Sequence, residues 1–384
     1  MQNSQLLNGG GVLNRDRAID RFGKDRVLLI ERMLNVADPV SDAAVAALHM
    51  NSGFSRADLN RGIANGLASL ADAPDAIQCL LRESETIPDW IDASKFRAGS
   101  DTYLAVGEPW IGLALGLGGL LHTYTSPSIA KVLIATDNLS QNTERRMLET
   151  SLWRNSAVSR GGLNIGADGY VSTIQVRVLH SNVRFGLLRK GWDAEKVGQP
   201  INQVEMLRTW LSTIAIPMLA LPKVGIDFST DEVAVLFNMY HYIAHLIGVS
   251  PELYRLVDGL QSAKEMLDLI DMTCGLVSDD SRKLTHASLE VVAKTVAASM
   301  SLPASVAKDL VNELCLAFHG AELTEMLGIE KTQLGSLIPV FADANRYRRA
   351  LVSSDKKLLE MQVIKTLDVH RARRETLAGK ADYQ

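Results

Sequence analysis

The stretch TIQVRVLHSNVRFG, Thr173 to Gly186, decides the reading of this chain. It carries Arg177, His180 and Arg184 at spacings of three and four, which place all three on one face of a helix. A lone imidazole between two guanidinium groups is an odd thing to bury in a helix otherwise rich in Ile, Val, Leu and Phe. Two readings account for it. In one, the imidazole ligates a haem iron and the arginines take the propionates as bidentate forks. In the other, His180 is a satisfied core histidine beside two arginines that snorkel to water.

Working outward, ERRMLETSLWR repeats the pattern: Arg146, Glu149, Thr150 and Trp153 recur at three, four and seven and share a face of a second helix. A guanidinium, a carboxylate and a hydroxyl converge there. Elsewhere Leu, Ala, Val and Ile recur at three and four, period-two alternation is nowhere sustained, and only 11 prolines interrupt. Helix starts are legible at Asn202 with Glu205, at Ser229 with Glu232 and at Ser250 before Pro251, and Gly248 closes a helix. Breaks fall at Gly9 to Gly11, around Ala73 to Pro74, at Gly161 to Gly169, at Gly191 to Pro200, at Pro222 to Ser229 and at Ser278 to Ser281. None is long or polar enough for an interdomain linker, and no internal repeat is present.

At these residues the sequence resembles the latex clearing protein and MpaB-like haem oxygenase family. The resemblance rests on Arg-x-x-x-Thr at 146 to 150 and Arg-x-x-His-x-x-x-Arg at 177 to 184. It continues through GQPINQVEMLRTW at 198 to 210 and FNMYHYIAHLIGVSPEL at 237 to 253, and upstream through IPDWID at 87 to 92 and YTSPSIAKVLIATDNL. The resemblance implies an all-α fold, a single large helical domain with a globin-like haem-binding core plus extra helices. Its boundaries are expected at 1–84 for an N-terminal helical extension, 85–255 for the haem-binding core and 256–384 for C-terminal helices and a charged end. It further implies haem b as cofactor, with iron on His180 and Arg177 and Arg184 holding propionates or the ligand helix. The Nδ1–H of His180 is expected to find the Val176 carbonyl one turn back. Glu149, Thr150 and Arg146 then fall on the dioxygen side as catalytic candidates. One departure matters: latex-cleaving members carry a lysine before the threonine, and here that position is Glu149, a poor sixth ligand for iron. Glu149 therefore reads either as a base near bound dioxygen or as a helical carboxylate paired with Arg145 or Arg146.

Bulk properties bound the function. Of 384 residues 47% are apolar and 22% charged, enough for a large core, and a net charge of -4 argues against nucleic acid as a partner. The N-terminus has no apolar signal region, from which a cytoplasmic location is expected. Cys79, Cys274 and Cys315 sit in apolar helical contexts and read as reduced core residues. WIGLALGLGGLL at 110 to 121 is too short to cross a bilayer, so no transmembrane segment is expected. Its four glycines predict close approach of another helix or of a flat macrocycle, with a substrate tunnel wall compatible with either. His241 and His245, one turn apart, read as core or haem-edge histidines or as a metal pair. GGLNIG at 161 to 166 fails as a dinucleotide fingerprint because no strand precedes it.

Beyond Arg346 the chain is charged, mixed in sign and amphipathic. Its basic residues Arg371, Arg373 and Arg374 read as a solvated face or a contact to an acidic membrane surface. Leu358, Leu359, Met361, Val363, Ile364 and Leu367 are expected to pack on the body or on a second copy, which would make a homo-oligomer. Two classes of function follow. The first is a haem-dependent oxygenase of dioxygenase type, using dioxygen and an apolar small-molecule or polymer substrate, with oxidative cleavage of a carbon–carbon double bond as the family precedent. The second is a non-catalytic helical haem protein, a sensor or carrier, or a helical interaction protein with no cofactor.

Overall fold

The computed structural model describes residues 12–50, 53–136, 139–275 and 277–377, and every regular element among them is a helix. The all-α expectation holds. The break expected at Gly9 to Gly11 lies outside the described residues. At the centre runs the helix Gln203–Ala220, started by Asn202, whose side chain accepts from the backbone N–H groups of Val204 and Glu205. A helix apolar on nearly every side needs other helices around it. By length and composition Gln203–Val224 is apolar enough to cross a membrane, and 78% of the apolar 18-residue window within it is buried inside the protein.

The glycine-rich run Trp110–Tyr124 supplies part of that cover, and its middle, Ala114–Leu120, widens into a π-helical stretch. A Cβ built on Gly119 would lie 2.2 Å from the Ser212 carbonyl oxygen, and one on Gly118 would meet Ile216 at 3.4 Å. These glycines therefore let two helix backbones approach. Of the two neighbours expected for them, the structure supplies the helix.

Helix Thr230–Leu246, opened by the Ser229–Glu232 capping box, packs on Phe96–Val106. Trp210 on the central helix donates its indole N–H to the Tyr240 carbonyl at 2.8 Å. One apolar core runs from Val12 to Ile329, through the boundaries expected at 84 and 255. The last two helices, Leu337–Ser354 and Lys356–Leu377, form a pair that closes over Phe96–Val106, burying Val363 against Leu104 and Ala105. Leu359 and Leu367 join that contact, whereas Leu358, Met361 and Ile364 stay exposed. The amphipathic face expected there is thus split between the body and solvent.

Candidate functional site

Two antiparallel helices, Leu139–Val158 and Asp168–Arg189, carry the candidate residues. Their register is fixed near the connecting turn. A Cβ on Gly169 would lie 2.5 Å from the Ala157 Cα, and Trp153 Nε1 donates to Thr173 Oγ1 at 3.0 Å. Both helices rise about 1.5 Å per residue, so equal steps away from the Trp153–Thr173 contact stay level. Three residues outward pair Thr150 with Val176; seven pair Arg146 with His180. The two sequence patterns that looked related are therefore brought to one level of the fold.

His180 is half-buried, and its Nδ1 is enclosed without a hydrogen-bond partner. The expected bond to the Val176 carbonyl is not made. Burial, seconded by the positive charge of Arg184 and opposed by Asp38, lowers its pKa to about 4. At neutral pH the ring is uncharged and keeps a lone pair for a ligand.

The flanking arginines have other partners than the ones expected. Arg177 donates through Nε and Nη2 to both oxygens of Asp38, at 2.6 and 2.9 Å, and Nη1 lies 2.8 Å from Glu83. Arg184 is held by Asp42 and donates to the carbonyls of Pro200 and Ile201 at 3.0 and 2.8 Å. Both are about 2% exposed, and a guanidinium withdrawn from water must be paired. Of the two roles expected of Arg177 and Arg184, holding propionates or holding the ligand helix, these contacts with carboxylates and carbonyls are those of the second. They anchor the His180 helix to Pro39–His49. The snorkelling alternative fails, since neither reaches water.

On the facing helix Glu149 accepts from Arg145 Nε at 2.8 Å, one turn apart, and its side chain is 20% exposed. Of the two readings of Glu149 the structure favours the helical ion pair. Thr150 is exposed and Arg146 half-buried. His241 Nε2 lies 2.7 Å from the Val257 carbonyl and His245 Nε2 3.1 Å from those of Glu83 and Thr86, so each is a core histidine. Among the described residues no group of His, Cys, Asp and Glu is arranged to hold a metal ion. Of the cysteines Cys315 is buried and Cys274 half-buried, but Cys79 is exposed, contrary to its core reading.

Sequence reasoning missed a second polar group, at the start of the central helix. Arg208 Nη2 lies 2.7 Å from Asp271 Oδ1, and His122 bridges Asp271 Oδ2 at 3.3 Å and Ser212 Oγ at 3.1 Å. Burial, only partly offset by hydrogen bonds and by Arg184, raises the pKa of Glu205 to about 7. Burial would also raise Asp271, but Arg208 and His122 bring it down to about 2. The available signal was Glu205 and Arg208 three apart inside QVEMLRTW, charged residues on a helix otherwise apolar.

Fold and site together define an all-α protein that presents an uncharged histidine level with an arginine on an antiparallel neighbour. Residues 105–351 match the family described as the ER-bound oxygenase mpaB/B′/rubber oxygenase, catalytic domain. That is more than half of the sequence, and the chain belongs to this oxygenase family. It is 23% identical over 308 residues to the rubber oxygenase of Streptomyces sp. (strain K30), covering 77% of this chain and 70% of that protein. The solved structure of latex clearing protein in the closed state superposes with a TM-score of 0.67 at 18% identity, over 86% of this chain and 91% of that one. The latter is a likeness of fold.

Proposed function

We propose that this chain is a haem b-dependent oxygenase acting on an apolar substrate, with His180 as the residue that would hold the iron. The observation that carries the proposal is His180 itself: enclosed, uncharged at neutral pH, and with a buried Nδ1 that no residue satisfies. A buried polar atom without a partner is rare in a native protein; Nδ1, expected from the sequence to be the protonated nitrogen, would instead be the bare one that meets an iron. The residues fit haem at this point.

When bound, haem supplies dioxygen binding and the redox chemistry. The chain supplies the rest. Asp38 and Asp42 fix the His180 helix through Arg177 and Arg184, so the imidazole is held by rigid packing. Val176 and Val183, half-buried on the side of His180, and Met147 and Leu148 on the facing helix offer an apolar boundary against water. Arg146 and Thr150, level with His180 and Val176, are the polar groups for the dioxygen side. The Streptomyces relative is a rubber oxygenase, and an apolar boundary suits an isoprenoid chain. Glu149 stands where the resemblance implies a lysine in latex-cleaving members, so this position would offer the haem a carboxylate and no amine.

The test is a visible spectrum of the purified full chain reconstituted with haem, beside oxygen uptake with a polyisoprenoid such as squalene. Expected are a Soret band at one haem per chain and substrate-dependent oxygen uptake. His180→Ala should remain helical by circular dichroism and bind haem poorly; full occupancy with an unchanged Soret band in that variant would overturn the ligand.

A further inference from the structure

The pairing that saturates Arg177 and Arg184 leaves another buried guanidinium incomplete. Arg208 is 2% exposed, and only its Nη2 is engaged, donating to Thr125 Oγ1 at 2.5 Å beside Asp271. Its Nε and Nη1 are enclosed with no acceptor. One turn earlier Glu205 leaves Oε1 without a partner, with the Ser128 hydroxyl close enough to hold its pKa down against burial. Such atoms are seldom left alone in the interior, least of all on a charged group. The cluster is open on one side: the Asp271 side chain is 43% exposed and Cys274, three residues on, is half-buried. It is tied to the histidine helix, because Arg184, one turn after His180, donates to the carbonyls of Pro200 and Ile201 just before the helix that carries Glu205 and Arg208.

We propose that Arg208 is the carboxylate anchor of the site, receiving a haem propionate on its free Nε and Nη1 donors. The proposal rests on the haem reading above. A carboxylate is the ligand chemistry that answers a guanidinium with two vacant N–H groups, since charge-assisted bonds of this kind are the strong ones. Asp271 is already shared between Nη2 and His122, so it cannot also serve the other edges. Glu205, its pKa raised to about 7 by burial, is only partly ionised at pH 7 and sets less charge against an incoming anion than an ordinary carboxylate would. Ser128 Oγ is a further donor within the cluster.

The experiment titrates the full-length apoprotein in parallel with haemin and with haemin dimethyl ester, followed by Soret absorbance, for wild type, Arg208→Met and Arg208→Lys. Wild type should bind the free acid at least about tenfold more tightly than the ester, the effect of one charge-assisted contact. Arg208→Met should bind both forms alike, and Arg208→Lys should keep part of the preference because the charge remains. A preference undiminished in Arg208→Met would overturn the proposal by placing the carboxylate elsewhere. Equal binding of acid and ester by wild type would also overturn it, the free donors then being met by water. If wild type binds neither form, the haem reading falls, which is distinct from loss of the anchor alone. Should Arg208→Met fail to fold by circular dichroism, the acid-to-ester ratio of Arg208→Lys against wild type decides: an unchanged ratio overturns the proposal.

Discussion

Arg177 and His180 sit three residues apart on one helix face and end in opposite electrostatic situations. Arg177 is paired with two carboxylates, Glu83 and Asp38, the latter lying 139 residues earlier and also accepting from the Ser41 backbone N–H as the cap of Pro39–His49. His180 is left with a ring nitrogen that nothing satisfies. Periodicity placed both residues correctly on the face, because i, i+3 spacing is a local property. It could not show which of them would be paired, because the pairing carboxylates belong to a distant helix. The pair even sets a glycine: a Cβ on Gly248, whose φ is 85°, would lie 2.3 Å from Asp38 Oδ2 and 2.6 Å from Arg177 Nε. Arg177→Leu strands Asp38 in the interior, and breaking a buried pair from one side costs about 3–5 kcal/mol. The expected result is a melting temperature several degrees lower with haem still taken up to one equivalent by the folded protein. A propionate partner would instead lose haem at an unchanged melting temperature.

Among the elements, the glycine run shows how far a local pattern carries. The sequence foretold a close approach over 110–121 and left open whether a helix or a macrocycle made it. The structure assigns the helix Gln203–Ala220, and the reason lies in individual positions. At Gly119 a Cβ meets the backbone carbonyl of Ser212 at 2.2 Å, which no rotamer change relieves; at Gly116 the nearest atom is Val292 Cγ2 at 3.5 Å, an ordinary contact. Gly119→Ala should therefore destabilise by about 3 kcal/mol, at the upper end of overpacking costs. Gly116→Ala should be neutral or gain up to about 1 kcal/mol from helix propensity. Thermal or urea unfolding of the two variants checks the contrast, and equal losses would refute the backbone contact. Helix starts were legible for the same local reason: the Ser229–Glu232 box and the Asn202 cap form within three residues of their own chain. The Arg208, His122 and Asp271 group was not, since it joins three separate helices and each member alone looks like an ordinary polar residue.

For the molecule as a whole, the closing step is the seating of the helix Lys356–Leu377 on the body. Its apolar contact through Val363 is small, and polar links do much of the fastening. Arg160 binds both oxygens of Glu360 at 2.6 Å, the Thr366 hydroxyl donates to the Leu104 carbonyl at 2.9 Å, and His370 Nε2 lies 3.3 Å from Glu108 Oε1. Burial alone would raise the pKa of Glu108, but the His370 hydrogen bond and the charges of Arg154 and Arg373 bring it down to about 2 from 4.5. A carboxylate with a depressed folded pKa contributes stability that is present above its unfolded value and lost as pH falls toward the folded one. Burial lowers the pKa of His370 below 6.5 despite Glu108, so its neutral folded form also loses ground once pH drops under that value. Both signs agree: acidification should loosen this helix, starting below about pH 6.5 and steepening below about pH 4.5. Hydrogen exchange at pH 7, 5 and 3.5, corrected for intrinsic rates, should show protection in 356–377 falling before that in 203–220. Glu108→Gln should loosen the helix already at pH 7 and flatten its acid dependence. Protection that falls in both helices together would mean that acid acts on the core and not on this link.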